Sequence, residues 1–152
     1  MQPSSRKAFT MIELVFVIVI IGILSAIAIP KLTATRDDAL ITKGLSILAS
    51  VRSALSTEKQ KLILQGEFGN IISLRGTGTG IFTTMVYKDS ANNDVNGSRV
   101  LEYDISACTG VGCWSTSDGV TYTFKSTQGD CTYKLQSNRF DDITTGGCTD
   151  LK

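Results

Sequence analysis

The stretch Arg6–Leu32, RKAFTMIELVFVIVIIGILSAIAIPKL, holds a single acidic side chain, Glu13, near the start of a run that is otherwise almost wholly apolar. From Leu14 to Ile29 nothing is charged, and only Gly22, Ser25 and the small alanines break the aliphatic pattern. A helix over Phe9–Ile29 rises roughly 30 Å, the thickness of a bilayer's hydrocarbon core. Arg6 and Lys7 stand immediately before it, and basic flanks stay on the cytoplasmic side. The expected topology is a single pass, N-terminus inside and the remainder outside. A cleaved secretory signal is the competing reading, with Met1–Lys7 as its basic region and Ala26-Ile27-Ala28 as its small-residue cleavage pattern. Two features oppose it. A carboxylate at membrane depth costs about 2–3 kcal/mol unless it finds a partner, and amphipathic helical patterning resumes directly after Pro30.

Working outward, the 152 residues and 42% hydrophobic content suffice for one domain with an appended segment. With 15 basic and 14 acidic side chains there is no electrostatic footprint for nucleic acid. The chain lacks histidine, the commonest general base and metal ligand, and nothing nominates a catalytic set. The expectation is a protein that is not an enzyme and carries no cofactor.

Pro30 has no N–H to donate and loosens a helix without having to end it. Beyond it Ile41, Leu45, Leu48, Val51, Leu55 and Leu62 recur at helical spacing, a single apolar stripe, while Lys43, Arg52, Glu58 and Lys61 read as lying off it. Gly66 and Gly69 are plausible stops. A helix from Phe9 to Gln65 is on the order of 85 Å long, too long for a compact domain of this size, so its first half must protrude and its second half lie on a sheet. Strand periodicity appears in Val100–Ile105, in Val120–Lys125, and in Tyr133 and Leu135 after a Gln128-Gly129-Asp130 turn. Residues 66–98 read as a long variable loop with one short strand at Ile81–Tyr87. The expected fold is α+β, a small antiparallel sheet of three or four strands with one face covered by the helix.

Ala8-Phe9-Thr10-Met11-Ile12-Glu13-Leu14, followed by an aliphatic helix and Pro30, resembles the N-terminal signature of type IV pilins and of the pseudopilins of type II secretion. A charge, an aromatic and a proline at fixed offsets in a membrane-length segment make the match specific. The resemblance implies a leader at residues 1–8, a filament-core helix at 9–30, its amphipathic continuation at 31–65 and a β-sheet head at 66–152. It implies cleavage between Ala8 and Phe9 by a prepilin peptidase and methylation of the Phe9 amine. The residue before the cut is usually glycine in that family; here it is the next smallest, Ala8. Glu13 would pair with the amino terminus of a neighbouring copy, a buried carboxylate being tolerable beside an ammonium. Leu14, Val15, Phe16, Ile18 and Ile21 would pack against neighbouring helices. The implied partners are other pilin-like subunits, the peptidase and an inner-membrane assembly platform. The implied location is the bacterial inner membrane, then a periplasmic pseudopilus or a surface pilus. The alternative from another class is a single-pass exported binding protein that never polymerises.

Four cysteines, Cys108, Cys113, Cys131 and Cys148, lie in the part expected to meet oxidising conditions. Two disulfides with three connectivities are open from spacing, and a four-cysteine zinc site competes. The favoured pairing joins Cys108 to Cys113 around Thr-Gly-Val-Gly, and Cys131 to Cys148, the latter similar to the C-terminal disulfide loop of many type IV pilins. Gly76-Thr77-Gly78-Thr79-Gly80 has no P-loop lysine and reads as a loop. Asn92, Asp94 and Asn96 share the alternating oxygens of a calcium loop but lack its terminal glutamate, and Asp141 and Asp142 are second calcium candidates nearer the C-terminus, where some pseudopilins bind it. Asp94-Val95-Asn96-Gly97-Ser98 also fits a glycosylation sequon at Asn96.

Overall fold

The computed structural model describes residues 9–76, 80–144, 148 and 151, and within 30–34 the backbone alone. The leader positions through Ala8, the Thr77–Thr79 centre of the glycine-rich loop and the Pro30 side chain therefore lie outside the described residues. The chain forms two compact units, Met1–Asp38 and Ala39–Lys152. One helix, α1 (Met11–Leu64), runs through both, and the helical backbone continues through Pro30.

In the first unit the apolar side chains of Met11–Ile29 are all exposed. This stretch is long and apolar enough to cross a membrane.

In the second unit α1 contributes Leu48, Val51, Leu55 and Leu62 to the core, as their spacing requires. Ile41 is only partly buried and Leu45 is exposed. The larger departure is Glu58. It is 2% exposed because, seven residues after Val51 and four before Leu62, it belongs to the buried stripe from which its charge seemed to exclude it. The helix ends where glycine permits. Gly66 takes a φ of 81°, its N–H reaches the Ile63 carbonyl at 3.1 Å, and the Glu67 N–H reaches Leu62 O at 2.9 Å, a Schellman cap that satisfies the last carbonyls.

Two antiparallel sheets follow. The first has the order β1 (Ile71–Ser73), β2 (Thr84–Lys88), β3 (Asp94–Arg99); the second runs β4 (Trp114–Thr116), β5 (Thr121–Ser126), β6 (Gly129–Gln136), β7 (Arg139–Asp142). Residues 66–98 thus hold a three-stranded sheet where one short strand was expected. Its outer strand β3 has one apolar side chain, Val95, so alternation could not reveal it. Main-chain pairing with β2 and the Glu58 carboxylate hold β3 instead: the Ser98 N–H donates to Glu58 Oε1 at 3.0 Å, and a Cβ at Gly97 would stand 2.5 Å from that oxygen. Conversely, the strand expected at Val100–Ile105 reduces to one bridge, Ile81 to Ile105. Leu101 and Ile105 pack on the core, but Tyr103 between them is exposed and an Arg99–Asp104 ion pair of 2.7 Å closes the segment into a loop.

The sheets are joined by polar and aromatic contacts. Gly119 O accepts from Leu74 N (3.1 Å), Ser73 Oγ (3.1 Å) and Tyr122 Oη (2.9 Å). The Ile71 N–H donates to Asn138 Oδ1 at 2.6 Å. Phe82 stacks on Tyr122 at 4.5 Å between centroids and meets Trp114 and Phe140 edge-on.

Helix and sheet also meet tightly at Gly44, where a Cβ would lie 2.7 Å from Phe124 Cζ and 3.0–3.1 Å from the adjoining ring atoms. Overpacking a core costs about 1–3 kcal/mol while alanine returns about 1 kcal/mol of helix propensity. Gly44→Ala is therefore expected to destabilise the second unit by about 1 kcal/mol in urea titration; an increase in stability would show that Phe124 yields freely.

Candidate processing and assembly site

Helix α1 starts because Thr10 caps it. The Thr10 carbonyl accepts the first helical bond, from Leu14 N at 3.3 Å. Its Oγ1 accepts the Glu13 N–H at 3.4 Å, and Glu13 Oε2 in return accepts Thr10 N–H and Thr10 Oγ1–H, both at 2.8 Å. This is a reciprocal capping box, Thr-x-x-Glu. Sequence reasoning treated Glu13 as a charge awaiting a partner and missed this arrangement, although the signal, threonine three residues before glutamate at the head of an apolar run, was in plain view. Glu13 thus has a local task, satisfying N–H groups at the positive end of the helix dipole, and its Oε1 has no partner among the described residues. Phe9 stands one residue before the cap and is 81% exposed. Phe9 and Glu13 therefore lie within one helical turn of each other at the chain's apolar end, beside the exposed faces of Ile12, Val15, Phe16 and Val19.

The cysteines sit in the second unit. Cys108 is joined to Cys113 and Cys131 to Cys148, with Cα separations of 5.4 and 5.3 Å. All four sulfurs are consumed, which overturns the zinc reading. Cys131 and Cys148 are buried, as is Leu151 beyond them, whose carbonyl accepts the Tyr133 hydroxyl at 2.7 Å. Burial and the nearby Asp142 charge push the Tyr133 phenol up to about 12, which keeps its proton on the oxygen as a donor.

The calcium candidates are not brought together. Asn92 is in the β2–β3 turn at a φ of 65°, Asp94 is paired with Lys88 at 2.5 Å, and Asn96 lies on β3. Asp141 and Asp142 are on β7, in the other sheet; the first faces Arg139 at 3.5 Å and the second accepts the Thr144 N–H at 2.8 Å. Among the described residues no three acidic, cysteine or histidine side chains converge to hold a metal.

Comparison with known proteins agrees with this geometry. Residues 3–29 match the prokaryotic N-terminal methylation motif. The chain is 37% identical over 59 residues to the type II secretion system core protein G of Klebsiella michiganensis, covering 39% of this chain and 42% of that one. It is 41% identical over 64 residues to a fimbrial protein of Pseudomonas aeruginosa, covering 42% and 39%. It is 27% identical over 128 residues to the type IV major fimbrial protein FimA of Dichelobacter nodosus, covering 81% and 73%. For the first two the matched region spans about two fifths of the relative's length. No solved structure gives a significant match. In class, this is a pilin-like α+β protein with a prepilin-type N-terminus; its homologues are type II secretion protein G and type IV fimbrial proteins.

Closing a loop of about fifteen residues removes roughly 3 kcal/mol of unfolded-chain entropy, and the shorter Cys108–Cys113 ring roughly 2 kcal/mol. Replacing both Cys131 and Cys148 by serine is therefore expected to lower the melting temperature more than replacing Cys108 and Cys113. Equal losses in calorimetry would contradict this ordering.

Proposed function

We propose that this chain is a structural subunit of a type IV filament system, most specifically a type II secretion pseudopilin, inserted in the inner membrane and polymerised through its N-terminal helix. The observation that carries the reading is the first unit itself: nineteen helical residues, Met11–Ile29, whose apolar side chains are exposed, none of them covered by the described residues. Such a surface is stable only in lipid or against other apolar helices, and a filament core supplies the second once the subunit leaves the first. Arg6 and Lys7 fix the N-terminus on the cytoplasmic side. Cleavage between Ala8 and Phe9 then generates an α-amine one helical turn from Glu13. The free Glu13 Oε1 accepts the amine of a neighbouring copy while Oε2 keeps the cap, so a single ion pair sets axial register and aliphatic packing supplies cohesion. A surface pilin is the second reading, favoured by the fimbrial relative that aligns over 81% of the chain and by the tail disulfide.

Glutamine at the third helical position also closes a capping box, so Glu13→Gln separates the two tasks of this side chain. The substitution is expected to leave membrane insertion and helix content unchanged and to reduce sedimentable filaments at least about tenfold, the equivalent of one ion pair of about 1.4 kcal/mol or more. Filaments at the wild-type level would refute the pairing. Separately, mass spectrometry of the mature chain is expected to give an N-terminus at methylated Phe9; a product beginning at Ile29 would refute retention of the helix.

A further inference from the structure

A cleft of about 750 Å³ opens between α1 and the β6–β7 turn, lined by Arg52, Ser56, Lys59, Gln60, Asn138 and Arg139 among others. Its cations are held unusually. Lys61, Lys88 and Arg99 each face a carboxylate. Arg52 instead donates through Nε to Phe140 O at 3.2 Å and lies 6.0 Å over the Tyr133 ring, and Lys59 Nζ is bonded to the carbonyls of Phe68 and Gly69 at 3.4 and 3.0 Å. Carbonyl oxygens and a ring orient these side chains without cancelling their charge. Arg139, 77% exposed, shares Asp141 at 3.5 Å. With Arg52, Lys59 and Arg139 against Asp141 alone, the lining of the cleft is net positive.

A complementary surface stands on the other flank of the same helix. Ser53, Thr57 and Lys61 border β3, on average about 130° round the helix from the cleft-lining Arg52, Ser56 and Lys59. At the end of β3 the Arg99–Asp104 ion pair ties off a loop whose tip is Glu102-Tyr103. Tyr87, Tyr122 and Tyr133 are buried or half-buried, whereas Tyr103 is 83% exposed, and Glu102 has no charged partner among the described residues.

We propose that the cationic cleft receives the Glu102-Tyr103 tip of a second copy of this chain, the carboxylate meeting the Arg52 and Arg139 guanidinium groups and the phenol ring lying on one of them. Charge-assisted guanidinium–carboxylate bonds and aromatic–guanidinium stacking are the two contacts such a cleft is built to make. Because donor and acceptor patches are different surfaces on opposite flanks, the contact is heterologous: each copy offers its tip to one neighbour and its cleft to another, which propagates an open array and not a closed dimer. This rests on the polymer reading above and places a second adhesive contact between the β-sheet units, separate from the N-terminal helices.

A charge swap tests it in the full-length chain, scored by sedimentable filaments and electron microscopy, with melting curves to verify folding. Arg139 and Glu102 are both exposed, so neither substitution disturbs the core. Arg139→Glu and Glu102→Arg, each alone, set like charges together and are expected to cut filament yield about tenfold, and the double variant to recover to within about twofold of wild type. Single variants that assemble normally, or a double variant no better than either single, overturn the contact while leaving the polymer reading intact. A wild-type chain that forms no filaments overturns that reading and this contact with it.

Discussion

The governing constraint is that one helix must serve two environments. Within its length α1 satisfies its own backbone hydrogen bonds except at the Ala26 carbonyl, to which Pro30 offers no N–H, and such internal pairing is the condition for entering lipid, but its side chains obey two patterns. Over Met11–Ile29 they are apolar on every side, as befits a segment surrounded by hydrocarbon or by other helices. From Ala39 onward only one stripe is apolar, and it is covered by sheets that the same chain supplies. The head exists because that stripe needs a cover. Six aromatic rings packed behind it, from Phe82 to Phe140, provide one from short strands that have little hydrophobic surface individually.

How far this could be read from the sequence follows the physics of each element. Helix α1 was legible almost to the residue, because an apolar run of membrane length leads into a stripe at helical spacing from Ile41 to Leu62 and Gly66 marks the end. β5 and β6 were legible because Tyr122, Phe124, Tyr133 and Leu135 alternate cleanly. β3 was invisible because its stability comes from main-chain pairing and from Glu58, a contact across forty residues of sequence. The false strand at Val100–Ile105 alternates correctly, yet with Arg99 and Asp104 paired across it the segment loops and keeps main-chain bonds only at its ends, Val100 to Thr83 and Ile105 to Ile81. Glu58 itself was misjudged by the rule that charge means surface, although its spacing from Val51 and Leu62 said otherwise.

At the N-terminus the residues were found and the local chemistry was not. Phe9 and Glu13 were singled out by their offsets, but the Thr10–Glu13 capping box shows that the carboxylate is already half used within its own chain. This eases the difficulty of a carboxylate in an apolar stretch: two donors from its own chain meet one oxygen, and the other oxygen has no partner among the described residues.

The way β3 is held bears on how such a protein can vary. Its place at the rim of the first sheet is fixed by peptide groups and by one acid reaching from the helix, with the bare Cα of Gly97 leaving room for it. Of its outward side chains, Asp94 pairs with Lys88 on β2 and Ser98 Oγ accepts from Lys61 Nζ at 2.9 Å, whereas the Asn96 side chain makes no hydrogen bond among the described residues. Position 96 can therefore be rewritten repeatedly while the fold beneath stays as it was.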